Sequence, residues 1–193
     1  MSALDLGIVI LAGGEAKRLP NKLELSAGAL PIIAHVFNNV RAAGPVHISS
    51  NTTFSSEIDA LLACPMVVDR WPKRGPLSGL ISTMNEMTTK FVFAVAGDAP
   101  FVDAAFIARL ASQWRVGDEA VVPRHGANIE PLAALYDRAA FVRHGVPILL
   151  NGNAALRTVV DRLNTRFVTI EDTSIFANVN TPADYAAVRE VLV

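Results

Sequence analysis

The chain has 193 residues, of which 51% are apolar and 18% charged; this suffices for one substantial core and excludes a disordered segment. A formal net charge of −1 excludes wholesale attraction to nucleic acid or membrane, so any polyanion site must be local. The single cysteine, Cys64, excludes an internal disulfide and a cysteine-based zinc cluster. It closes the apolar pattern Leu61-Leu62-Ala63 and reads as a buried structural thiol. No apolar run reaches the roughly 18 residues of a membrane span, and Met1-Ser2-Ala3-Leu4-Asp5 lacks a basic leader region. A soluble, cytoplasmic protein is expected.

In chain order, strands are predicted at Gly7–Ala12, Val46–Ser50, Met66–Asp69 and Phe91–Gly97. Helical patterns fall between and after them, at Pro31–Ala43, Ser55–Ala63, Pro76–Met87 and Ala104–Trp114, with Asp103 placed to cap the last. Such alternation implies βαβ units and a parallel sheet. The second half is less regular. Short strands at Ala120–Pro123 and Leu132–Tyr136 flank a turn at His125-Gly126-Ala127-Asn128, followed by helices at Ala139–Leu149 and Ala154–Leu163 and a strand at Arg166–Ile170. Thr181, Pro182 and Asp184 mark the N-cap, N1 and N3 of a final helix. With no repeat, low-complexity tract or linker, residues 1–193 read as a single α/β domain.

The first strand runs into Gly13 and Gly14, then into Lys17, Arg18 and Lys22. Glycines there remove the Cβ atoms that would keep a ligand from the backbone and permit positive φ, and the basic side chains suit a polyphosphate. Neither the P-loop nor the dinucleotide fingerprint is present. The plainer reading is a glycine turn followed by a solvated basic loop. In an open parallel sheet, ligands bind beyond the carboxyl ends of the strands, and here those ends deliver the glycine loop, Asn51, Asp69 and Asp98. Asp98, fixed between Gly97 and Pro100 after an apolar strand, is the sharpest candidate, a hard oxygen ligand suited to Mg²⁺ beside phosphates. Asp69 precedes the basic loop Arg70–Gly75 and either faces the nucleotide or caps a turn. Asn178 and Asn180 sit two apart on an extended piece, where they bind phosphate or an acceptor or merely organise the last helix. Arg124 and Arg157 are further acceptor candidates. The histidines show no ligand spacing.

Taken in order, these segments resemble the nucleotidyltransferases that build molybdenum-cofactor dinucleotides, the guanylyltransferases of the MobA-like family above all. The matching pieces are Leu11-Ala12-Gly13-Gly14 with Arg18 and Lys22, Ser50-Asn51, Asp69 with Gly75-Pro76-Leu77-Ser78-Gly79, Gly97-Asp98-Ala99-Pro100, Glu130-Pro131-Leu132, and Asn178-Val179-Asn180-Thr181-Pro182. The resemblance implies a Rossmann-like three-layer α/β/α nucleotidyltransferase fold with a mostly parallel sheet. Residues up to about 115 would form a nucleotide-binding half and the rest an acceptor side.

It further implies GMP transfer from GTP to the phosphate of molybdopterin or Mo-molybdopterin, with release of pyrophosphate. Leu11, Ala12, Gly13 and Gly14 would line the nucleotide, with Asn51 and Asp69 helping to hold it. Lys22 and Arg18 would stabilise the pyrophosphate, and Asp98 would bind Mg²⁺; Asn178 and Asn180 stay acceptor or phosphate candidates. Molybdenum-cofactor assembly proteins or molybdoenzyme chaperones are the implied partners. The double glycine favours guanine, since cytidylyltransferase relatives usually read Leu-Ala-Ala-Gly. One segment departs from the family pattern Arg-Met-Gly-x-Asp-Lys: Arg18-Leu19-Pro20-Asn21-Lys22 is a residue shorter, lacks the glycine and has Asn for Asp. Two rival functions are therefore carried, a cytidylyltransferase or related enzyme with another phosphorylated acceptor, and a non-catalytic nucleotide-binding carrier or adaptor.

Overall fold

The computed structural model describes residues 4–13 and 18–192. Among them, β1 (Leu6–Leu11) lies in the interior of the main sheet. Parallel partners flank it, β4 (Val46–Ser49) on one side and β6 (Phe91–Ala96) on the other. Beyond β4 lies β5 (Met66–Val67), also parallel. Beyond β6 come β9 (Ala133–Asp137), β7 (Ala120–His125) and β10 (Thr165–Thr169), with the short β8 (Asn128–Ile129) paired to β7. A separate small hairpin, β2 (Ser26–Ala27) with β3 (Leu30–Pro31), precedes the first helix.

The expected mostly parallel sheet is present; β9 runs against both β6 and β7, and the short β8 also pairs antiparallel to β7. Tight chain reversal explains it, because β7, β8 and β9 follow one another through short turns that cannot make a parallel crossover. The consequence is functional. The amino end of β9 lies on the same rim as the carboxyl ends of β1, β4 and β6.

Side chains alternate cleanly across the central strands. Ile8 and Ile10 of β1, with Phe93 and Val95 of β6, pack beneath α1 (Ile32–Val40), α2 (Ser56–Leu62) and α4 (Ala104–Ala111). Val9, Leu11, Val92 and Ala94 pack on the other face beneath α3 (Gly75–Glu86), α5 (Arg138–Leu150) and α6 (Leu156–Val160). This is a three-layer α/β/α arrangement with apolar strands covered on both faces. Cys64 packs half-buried at the edge of the first layer, and burial pushes its thiol up to about 11. No helix among the described residues is long and apolar enough to cross a membrane.

Element ends differ from the sequence expectation for local reasons. β5 stops at Val67 because the Asp69 carboxylate accepts the Trp71 N–H at 2.9 Å and bends the chain. The helix expected from Pro31 starts at Ile32, since Leu30–Pro31 is occupied in the small hairpin, and it tightens into a 3₁₀ turn at Arg41–Ala43. The helix expected at Ala154–Leu163 shrinks to α6, its approach held by Asn153, which accepts the Ala155 N–H at 2.8 Å. Asp103 caps α4 as expected, and Thr181 with Asp184 forms a full capping box on α7 (Pro182–Val191).

Phe93, fully buried at the sheet centre and edge-on to Phe106 with centroids 6.5 Å apart, tests this core. Phe93→Ala is expected to lower unfolding free energy by about 3–5 kcal/mol, read from the urea midpoint at unchanged slope.

Candidate nucleotide-transfer site

The site is built where the strand order reverses around β1. Gly97 donates its N–H to the Leu11 carbonyl at 2.8 Å, so the turn after β6 lies against the end of β1. A Cβ on Gly97 would meet that oxygen at 3.0 Å and Ile33 Cδ1 at 3.1 Å, so glycine lets the two strand ends close up without crowding. Gly13 differs. It has no positive φ, and a Cβ there would meet nothing within 4 Å. Its lack of a side chain therefore leaves room above the strand and serves no special backbone conformation.

That room belongs to a cavity of about 530 Å³ whose walls include Leu11, Ala12, Gly13, Lys22, Thr52 and Asp98, within the ordinary range for small-molecule sites. Lys22 Nζ is paired with the Asp98 carboxylate across 76 positions of sequence and donates to Asn180 Oδ1 at 2.7 Å. The two charged side chains are only 17% and 13% exposed, so their attraction is less screened than at an open surface. Released from Lys22, the Asp98 carboxylate is a single hard oxygen ligand on the cavity wall, which fits a Mg²⁺ ion that takes its remaining ligands from phosphates and water. Among the described residues, no cluster of three or more metal-ligating side chains offers an all-protein site.

Three features bring Lys22 there despite the shortened loop. Leu19 packs into a small cluster with Ala27, Ile32, Val179 and Val188. Asn21 then takes the left-handed conformation, φ 52° and ψ 26°; asparagine is among the few residues that do this at modest cost. A single 3₁₀ turn, Lys22–Glu24, follows at once. The loop is shorter and still delivers its lysine.

The C-terminal segment is held just as firmly. Val179 is fully buried and donates its N–H to the Asp98 carbonyl at 2.9 Å, which turns its neighbours Asn178 and Asn180 the other way. The Asp184 carboxylate accepts the N–H groups of Asn180 at 3.0 Å and Thr181 at 2.8 Å. Those bonds, the Asn180 backbone contact foremost, hold the Asp184 carboxyl below its ordinary range. Tyr185 anchors α7 through its hydroxyl to the Ser26 carbonyl at 2.6 Å.

The candidate residues are not all equivalent. Leu11, Ala12, Gly13, Lys22 and Asp98 line the main cavity, and Asn180 reaches it through Lys22. Asn178 lines a smaller neighbouring cavity. Arg18 is exposed and is not part of the cavity wall. Asn51 accepts the Asp69 N–H at 2.9 Å, while the Asp69 carboxylate is turned onto Trp71 N–H and the Ser78 hydroxyl. The pair thus braces the loop before α3. Arg124 and Arg157 are exposed on β7 and α6. Gly14 and Lys17 lie outside the described residues. Sequence reasoning passed over Thr52 and Phe54 in the wall, two residues of the loop between β4 and α2 that gave no chemical signal. It also left His125 without a partner, although five residues on lies Glu130, at 2.7 Å.

A family model, the MobA-like NTP transferase domain, matches residues 8–166. The chain belongs to the MobA-like NTP transferase family. Relatives in this family include a probable molybdenum cofactor guanylyltransferase of Carboxydothermus hydrogenoformans, 27% identical, with 97% of this chain and 96% of that one aligned. A molybdenum cofactor guanylyltransferase of Polynucleobacter asymbioticus is likewise 27% identical, over 95% and 96%. Among solved structures, the molybdopterin-guanine dinucleotide biosynthesis protein A of Archaeoglobus fulgidus shares the fold. Its TM-score is 0.81 at 21% identity, covering 96% of this chain and 97% of that one. This MobA-like chain is therefore a nucleotidyltransferase by family, with a full-length match to its relatives.

Because Asn21 holds the left-handed conformation, Asn21→Gly is expected to keep stability and nucleotide affinity. Asn21→Val forces a β-branched residue into the left-handed region, at about 1–2 kcal/mol. Denaturant midpoints and a titration with fluorescent GTP, compared across the two variants, check this; equal behaviour of both contradicts it.

Proposed function

We propose that this chain transfers GMP from GTP to the terminal phosphate of molybdopterin or its molybdenum-loaded form, releasing pyrophosphate. The observation that carries the proposal is the Lys22–Asp98–Asn180 contact at the floor of an open cavity beside Gly13. The names of the full-length relatives, molybdenum cofactor guanylyltransferases, supply the donor and the acceptor.

An oxygen of the acceptor phosphate attacks the α-phosphorus of GTP, and the bond from that phosphorus to the β-phosphate oxygen breaks. The attacking oxygen is already ionised, so no strong general base is required. Catalysis rests on alignment of the two phosphates and on neutralising the charge of the leaving pyrophosphate. Lys22, on a long flexible stem, exchanges the Asp98 carboxylate for phosphate oxygens when the nucleotide enters. Arg18, exposed at the start of the same loop, adds charge at the pyrophosphate end. Asp98 would hold Mg²⁺, which when bound supplies charge neutralisation and a template for the phosphates. Leu11, Ala12 and Gly13 offer their backbone to the nucleoside. Asn51 and Asp69 act on it by fixing the loop before α3. In this reading the chain works as one domain, with residues to about 115 holding the nucleotide and the remainder facing the acceptor.

Asp98→Asn preserves size and removes the charge. Pyrophosphate release with GTP, Mg²⁺ and molybdopterin is expected to fall on the order of 10²–10³-fold, with an unchanged circular-dichroism spectrum. Near-normal release by this variant overturns the assignment. Faster turnover of CTP than of GTP by the unmodified protein assigns it instead to cytidylyl transfer. Nucleotide binding without any pyrophosphate release makes it a carrier.

A further inference from the structure

A second cavity of about 200 Å³ shares two wall residues with the first, Ala96 and Leu132, and is lined besides by Val102, Glu130, Leu156 and Phe176. Its walls are apolar except for the Glu130 carboxylate and the Asn178 amide. The sheet order fixes where it lies. The Gly13 end of β1 is on one side of the Asp98 turn after β6, and the start of β9, with Glu130–Leu132 just before it, is on the other. A group transferred at Asp98 therefore has one cavity to either side.

Glu130 is held in place from several directions. Its N–H donates to the Pro123 carbonyl at 2.9 Å, and its own carbonyl accepts the Ala133 N–H at 3.1 Å. The buried Tyr136 hydroxyl grips the Pro131 carbonyl at 2.8 Å. His125 Nε2 lies 2.7 Å from Glu130 Oε1; the carboxylate can only accept, so the imidazole donates. The His125 ring is stacked on Phe176, centroids 5.9 Å apart and 21° between planes, and Phe176 in turn is packed edge-on against Phe106. Among the described residues, no arginine or lysine neutralises this carboxylate. A fixed carboxylate in an apolar slot is satisfied by a flat ring that presents two adjacent N–H donors.

We propose that this cavity receives the heterocycle of the acceptor and that Glu130 reads its 2-amino-4-oxo pyrimidine edge, with His125 positioning the carboxylate. The identity of that heterocycle as a pterin rests on the guanylyl-transfer reading. Guanine carries the same edge, and the donor nucleotide is the competing source of it. The position of the cavity, across Asp98 from Gly13, favours the acceptor: the leaving pyrophosphate is assigned to Lys22 in the Gly13 cavity, and in-line displacement brings the attacking phosphate from the opposite side of the phosphorus.

The experiment measures two affinities on the intact protein and on Glu130→Gln. One is that of a fluorescent 6-substituted pterin monophosphate, followed by its own quenching without nucleotide. The other is that of fluorescently labelled GTP with Mg²⁺. Loss of a charge-assisted pair is expected to weaken the pterin on the order of tenfold to a hundredfold and to leave GTP within about twofold. His125→Ala weakens the pterin by a smaller factor, and His125→Gln, which keeps an N–H donor, recovers most of it. Equal pterin binding by both proteins, or no binding by the intact one, overturns the proposal. A loss confined to GTP assigns the edge to guanine and overturns it too. Pterin binding that depends on Glu130 in a protein unable to transfer GMP would leave this pocket standing and sink the activity instead.

Discussion

A lysine, a carboxylate and an amide from three distant parts of the chain meet at Lys22, Asp98 and Asn180, and the arrangement of the site follows from that meeting. Lys22 comes from the loop after β1, Asp98 from the turn after β6, and Asn180 from the approach to α7. The ammonium satisfies the carboxylate, so neither charge is left alone in a partly desolvated cleft. The same groups are poised for a ligand that carries negative charge for the lysine. In the proposed reading, binding is an exchange of partners, with little new burial of unpaired charge.

Backbone geometry makes the meeting possible. Gly97 lets the ends of β1 and β6 touch, which sets Asp98 beside Gly13. The buried Val179, bonded through its N–H to the Asp98 carbonyl, ties the C-terminal segment to that turn. Leu19 anchors the basic loop in the cluster that also holds Val179 and Val188. One small apolar cluster therefore positions both partners of Asp98. The antiparallel β9 adds the other side of the site by bringing Glu130 and Leu132 to the rim.

Much of this was legible in the sequence. Apolar runs such as Phe91–Ala96 read as strands covered on both faces, and the Thr181-Pro182-Asp184 spacing announced the last helix. Strand ends named Gly13, Asn51, Asp69 and Asp98 as rim residues because sheet topology puts them there. Direction was not legible. Whether the Asp69 carboxylate faces a ligand or its own turn depends on Trp71 and Ser78, contacts set by how α3 packs. The reach of Lys22 past a missing glycine depended on the backbone torsion of Asn21. The pairing of His125 with Glu130 arose from the β7–β8 hairpin, whose register a single sequence does not fix.

The central claim is that Lys22 changes partner from Asp98 to the polyphosphate, and a crystal structure with a non-hydrolysable GTP analogue and Mg²⁺ tests it most directly. The account predicts Lys22 Nζ within hydrogen-bond distance of phosphate oxygens and released from Asp98, whose carboxylate faces the metal, with the base lying over Leu11–Gly13. A Lys22 still paired to Asp98, with the nucleotide bound elsewhere, would contradict it.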